Sequence, residues 1–139
     1  MDKDLAHAIQ LLNSTGKHCV LCKDTHIITG SANSMGTLLM LLNSQTETRD
    51  FYAADLVVGK SSAYLYILLG VKAVYATIMS EAAIYTLARY GVYPCCSQSV
   101  SEIEDNMDST VCAMDKIVHS IKDANTALRV IQACNHNGL

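Results

Sequence analysis

Between Phe51 and Cys95 the chain alternates apolar, β-rich runs with helix-periodic runs, joined by connections of only a few residues. Phe51–Val58 predicts a buried strand, Gly59-Lys60-Ser61 a turn, and Ser62–Leu69 a helix closed by Gly70. Lys72–Met79 predicts a second strand. Ser80 then caps a helix over Glu81–Tyr90, Gly91 closes it, and Val92–Cys95 predicts a third strand. Strand–helix–strand–helix–strand with loops this short leaves parallel strands joined by right-handed crossovers. The rhythm restricts the chain to the α/β class.

The flanking segments complete the layers. Leu5, Ile9 and Leu12 recur at helical spacing within Asp4–Asn13. His18–Lys23 and His26–Thr29 read as short strands turned at Lys23-Asp24-Thr25. Ser34 is a candidate N-cap for a helix over Met35–Asn43. Ser97–Ser109 is polar and acidic and predicts a loop, followed by helices over Cys112–Ser120 and Asp123–Cys134 and a frayed tail over 135–139. The expectation is one domain over residues 1–139: a three-layer α-β-α sandwich around a mixed five-stranded sheet, with helices on both faces.

Charge and apolar content limit the partners. A net charge of −3 lacks the basic excess that phosphate neutralisation requires, so nucleic acid is not an expected partner. The most apolar stretch, Ala63 to Val71, lies between Lys60 and Lys72, far short of the ~20 residues a bilayer needs. Met1-Asp-Lys-Asp leads directly into a mixed helix and offers no secretory signal. A cytoplasmic, reducing location is therefore expected, with the six cysteines free.

Three places carry candidate chemistry. Asp55-Leu-Val-Val-Gly59-Lys60-Ser61 stands at a strand's carboxyl end and leads into a helix, where crevices form and exposed N–H groups attract anions. Asp55, Gly59, Lys60 and Ser61 are the candidate ligand-binding residues. The run is not a phosphate loop of the nucleotide-hydrolysing type, because Ala54 stands where that motif needs glycine. The plainer alternative is that Gly59 turns the chain, Ser61 caps the helix and Lys60 is solvated. Glu81 follows the next parallel strand, so it should lie near the same edge. There it could pair with Lys60 and orient a donor group or move a proton, or simply complement the helix dipole. Cys112 follows Asp108-Ser109-Thr110 and so falls in the first turn of a helix, a position that favours a reactive thiol, with Asp115, Lys116 and His119 on its face. Its alternative is a small buried hydrophobe.

Cys19 and Cys22, flanked by His18 and His26, suggest a metal. On a strand, however, period two sends the two thiols to opposite faces, and no second ligand pair stands at a suitable spacing. Pro94-Cys95-Cys96 offers adjacent residues that seldom chelate together. Neither a metal nor another cofactor is expected. The tyrosines from Tyr64 to Tyr93 read mostly as packing residues with hydroxyls at the rim.

One string of motifs resembles a known family. It comprises Asp55-Leu-Val-Val-Gly59-Lys60, Gly70-Val-Lys72-Ala-Val-Tyr75, Ser80-Glu81, Tyr90-Gly91 and Cys112-Ala-Met114-Asp115-Lys116. Over roughly Leu11 to Ile121 these match a small uncharacterised bacterial domain family with a cytidine-deaminase-like fold. The family's late motif is typically Cys-Pro-Met-Glu, where this chain has Cys-Ala-Met-Asp. The resemblance implies a fold but no reaction. Deaminases hold zinc with His-x-Glu on one helix and Pro-Cys-x-x-Cys on the next. Here the corresponding helices begin Ser34-Met35-Gly36-Thr37 and Lys60-Ser61-Ser62, and Pro94-Cys95 is followed by Gln98 instead of the second cysteine. The expected function is binding of a small polar or anionic metabolite at the carboxyl edge of the sheet. The alternatives are a metal-independent enzyme using Cys112 as nucleophile, with Glu81 assisting, and a homo-oligomerising structural module.

Overall fold

The computed structural model describes residues 1–136, with side chains as far as Cys134; the tail expected to fray, 135–139, lies outside the fully described residues. Helix α1 (Lys3–Thr15) precedes a hairpin of β1 (Cys19–Lys23) and β2 (His26–Gly30). Then come α2 (Ser34–Asn43), β3 (Tyr52–Val58), α3 (Lys60–Leu69), β4 (Ala73–Ser80), α4 (Glu81–Arg89) and β5 (Tyr93–Val100). Two helices, α5 (Ser109–Val118) and α6 (Ala124–His136), complete the described chain. The sheet has five strands in the order β2-β1-β3-β4-β5 and is mixed, as the sequence predicts. β1 runs antiparallel to both β2 and β3, while β3, β4 and β5 are parallel.

Helices flank both faces, but unequally. Alternation along the strands sends Leu21, Ala53, Val57, Val74 and Ala76 into a large core shared with α2 through α6. The intervening Val20, Cys22, Ala54, Ala73 and Tyr75 pack under α1 alone, against Leu5, Ala8 and Leu12. A single helix cannot span five strands. Beyond its reach Leu56 is 36% exposed and Tyr93 61% exposed.

The structure corrects several boundaries. β5 continues through Val100, five residues past the expected end at Cys95, in register with β4 from Ala73↔Tyr93 to Ser80↔Val100. Its polar Ser97-Gln98-Ser99 reads as loop in the sequence because the strand lies at the sheet edge with one face uncovered, so little apolar patterning is demanded of it. The N-cap of α2 is Asn33, not Ser34: the Asn33 side chain accepts the Gly36 N–H at 2.8 Å. Helix α3 starts at Lys60 and not Ser62, with Gly59 at the cap position, so Ser61 is a helical residue and not the cap. Ser80 does cap α4, accepting the Ala83 N–H at 3.1 Å. Among the tyrosines, Tyr64 and Tyr66 are buried, whereas Tyr85, Tyr90 and Tyr93 are exposed.

Candidate functional site

The carboxyl ends of β3, β4 and β5 open onto a cleft of about 640 Å³, within the ~300–1,000 Å³ range of small-molecule sites. Each parallel strand delivers a different wall. The first residue after β3's turn contributes Lys60. The end of β4 gives Ser80, with Ala82 from the first turn of α4. The loop after β5 brings Ser101, Glu102, Ile103, Glu104 and Asp105. Helix α5 lies along the cleft and supplies Cys112, Asp115 and Lys116, with His119 just past its end.

Lys60 and Cys112, two of the sequence candidates, therefore meet in one cleft. Lys60 Nζ donates to the His119 carbonyl at 2.8 Å and stands 5.8 Å from the Tyr64 ring centre. Partial burial, and then the neighbouring charge of Arg89, lower its pKa. Cys112 is 6% exposed, its backbone N–H held by the Asp108 carbonyl at 2.9 Å in the first turn of α5. Asp108 is the N-cap, its side chain accepting the Val111 N–H at 3.0 Å.

Gly59 and Ser61 take part differently. The N-terminus of α3 already holds an anion, the carboxylate of Asp115, whose Oδ1 accepts from the Ser61 N–H at 2.9 Å and from the Ser61 hydroxyl at 2.6 Å. The helix-start N–H groups are thus satisfied by a side chain from another helix. Gly59 is glycine for a matching reason: a Cβ there would collide with the Asp115 carboxylate. Burial raises the Asp115 pKa, opposed by these hydrogen bonds.

Asp55 and Glu81 do not line the cleft. Asp55 is fully buried between sheet and helices. Ser34 Oγ donates to its Oδ1 at 2.7 Å and Tyr66 OH donates to its Oδ2 at 2.7 Å. Burial pushes its pKa up to about 6, against the lowering effect of Tyr66, Ser34 and the backbone N–H groups of Val57 and Leu56. Beside it, burial and the Asp55 charge push the Cys19 thiol up to about 12. Tyr66 is raised well above its ordinary value, again by burial first. Glu81 is exposed in the first turn of α4, where the helix dipole favours a carboxylate. Lys60 turns to His119 and not to Glu81.

The Cys19 and Cys22 thiols do lie on opposite faces. Cys19 sits by Asp55 and Tyr66, whereas Cys22 packs under α1 with its Sγ 3.3 Å from His7 Nδ1. The acidic wall, Glu102 to Asp105, is absent from the sequence candidates. The signal for it is topological: a third parallel strand ending at Val100 places the next residues at the same edge as Lys60. With β5 read as ending at Cys95, they fall six to nine residues into an unplaced loop.

Comparison with known proteins fits this architecture. Residues 7–134 match the TM1506 family, a domain of unknown function designated DUF1893. The crystal structure of a DUF1893 family protein, TM1506 from Thermotoga maritima, superposes with a TM-score of 0.83. It covers 96% of this chain and 92% of its own at 15% identity, a likeness that carries the fold alone. No curated protein matches. With its family match running almost end to end, the chain belongs to the DUF1893 family of unknown function.

Proposed function

We propose that this protein binds a small polar metabolite in the cleft at the carboxyl ends of β3, β4 and β5. The observation that carries the reading is convergence: three successive parallel strands and α5 send Lys60, Ser80, Glu102 and Cys112 into one cavity of metabolite size. Lys60 holds the ligand's anionic group as a point charge. Asp115 keeps the α3 N-terminus occupied, so the ligand's anion meets Lys60 and not the helix-start N–H groups. Cys112 is a contact on the cleft wall; as a nucleophile it would define the enzymatic alternative. The cytidine-deaminase likeness belongs to this proposal as a likeness of layers only. Helices α2 and α3 begin with serine, methionine and lysine where deaminases place zinc ligands. Free thiols at all six cysteines suit the cytoplasmic location proposed with it.

Thermal-shift measurements against nucleosides, nucleotides and sugar phosphates test the reading. A ligand should stabilise the wild type, lose its effect in Lys60→Ala, and slow alkylation of Cys112. A shift retained in Lys60→Ala would remove Lys60 from the site. Cys112 labelling at pH 6 faster than at the other five thiols would favour the nucleophile instead.

A second reading, self-association, is favoured by β5. This uncharged eight-residue strand lies at the sheet edge beside a face that α1 leaves open. Sedimentation velocity across a concentration range decides it, and a strict monomer rejects it.

A further inference from the structure

The charges of the cleft are segregated along its length. Helix α5 runs beside it, and at the helix's carboxyl end stand Lys116 and Lys60, the latter fixed by its bond to the His119 carbonyl. At the other end, the loop leading into α5 contributes Glu102, Glu104 and Asp105. Besides these charges, Asp115 and His119, the lining is small or apolar: Ser80, Ala82, Ser101, Ile103 and Cys112, the last two 4% and 6% exposed. From Cys112 to His119 is seven residues, about 10 Å of helix. The opposed charges therefore stand on the order of 10 Å apart, too far to neutralise one another by direct contact.

Resting on the ligand-binding reading above, we propose that the cleft takes a dipolar ligand with a hydrocarbon middle, of the ω-amino carboxylate or ω-amino phosphate class. Its anionic end faces Lys60 and Lys116. Its ammonium faces Glu102, Glu104 and Asp105, and its methylenes cover Ile103 and Cys112. A ligand of single sign meets like charge at one end of the same cavity, and that mismatch selects against it. Asp115 adds a carboxylate near Lys60 and offsets part of its charge. Its Oδ1, however, is turned to the start of α3 by the Ser61 N–H and hydroxyl, and Lys116 supplies a second cation at that end.

Calorimetric titration with 4-aminobutyrate, 6-aminohexanoate and 8-aminooctanoate, alongside octanoate and octylamine, tests the inference. Affinity should rise with the length of the amino acid, and each single-charge analogue should bind at least about tenfold more weakly than 8-aminooctanoate, as one lost charge contact implies. Glu104 and Lys116 are both exposed, so charge reversal there should leave the fold intact. Glu104→Lys should improve octanoate binding, and Lys116→Glu should improve octylamine binding. Octanoate binding as tightly as 8-aminooctanoate overturns the dipolar assignment. If nucleotides or sugar phosphates bind in a Lys60-dependent way while the amino acids do not, the dipolar assignment falls and the ligand-binding reading stands. If no compound binds and none protects Cys112, both fall.

Discussion

Asp115 on α5 and Ser61 on α3 are joined by two hydrogen bonds to a single carboxylate oxygen, one from the Ser61 N–H and one from its hydroxyl. The pair fastens α5 to the start of α3 and closes the anion site that a strand–turn–helix of this kind would otherwise present. It also explains why Lys60, one residue away, is left to face the cleft.

Removing that carboxylate should cost stability, since hydrogen bonds to a charged group contribute about 1.5–3 kcal/mol and Ser61 is buried. Asp115→Ala should lower the stability measured by urea unfolding by about 2 kcal/mol. Gly59→Ala should cost about 1–3 kcal/mol by overpacking against the same carboxylate. In the Asp115→Ala background, Gly59→Ala should become nearly neutral. Additive costs in this double-mutant cycle would refute the direct contact.

Asp55 makes the fold's stability depend on pH in the less familiar direction. Its pKa rises on folding from 3.8 to about 6, burial being the main cause. The folded state thus binds its proton more tightly than the unfolded chain. The contribution is fully present below about pH 4 and is lost as pH rises through 6. A displacement of this size corresponds to roughly 3 kcal/mol. Burial moves Asp115 the same way. Stability should therefore rise between pH 7 and pH 5, and Asp55→Asn should remove most of that rise. Parallel pH profiles for the two proteins would show that Asp55 does not titrate in this range.

The layers were legible because apolar runs of strand and helix length, punctuated by Gly59, Gly70 and Gly91, leave few ways to arrange Phe51 to Cys95. Half of the site was legible too. Lys60 follows directly from the strand–turn–helix, and Cys112 from its place one turn after the Asp108 cap. The remainder depends on contacts distant in sequence. Nothing local tells Asp115 that its carboxylate will meet a helix start 54 positions earlier. Asp55 looked like a cleft residue because it stands on the right strand. However, alternation along β3 turns it toward Tyr66 and Ser34, inside the core and away from the edge.

Neighbouring polar residues at the start of α2 should behave differently. Asn33→Ala removes a helix cap and should cost about 1 kcal/mol at any pH. Ser34→Ala removes a donor to the Asp55 carboxylate, which disfavours its charged form. Its destabilisation should be larger at pH 8 than at pH 5. Equal losses at both pH values would mean that the Ser34 hydroxyl does not support the Asp55 charge.

Lys60 should matter more to the ligand than to the fold. Its ammonium donates to the His119 carbonyl at the end of α5, a favourable place for a cation worth about 0.3–1 kcal/mol. Against that gain, burial and then the charge of Arg89 disfavour the ammonium, Asp115 restores part of the loss, and Lys122 adds a smaller repulsion. These effects offset one another, so Lys60→Met, which keeps an unbranched apolar stem while removing the ammonium that stands 5.8 Å from the Tyr64 ring centre, should change stability by less than about 1 kcal/mol. The same substitution should abolish stabilisation by any anion-bearing ligand of the cleft. A loss above about 2 kcal/mol in the unliganded protein would make Lys60 a structural clasp between α3 and the end of α5 instead of a binding group.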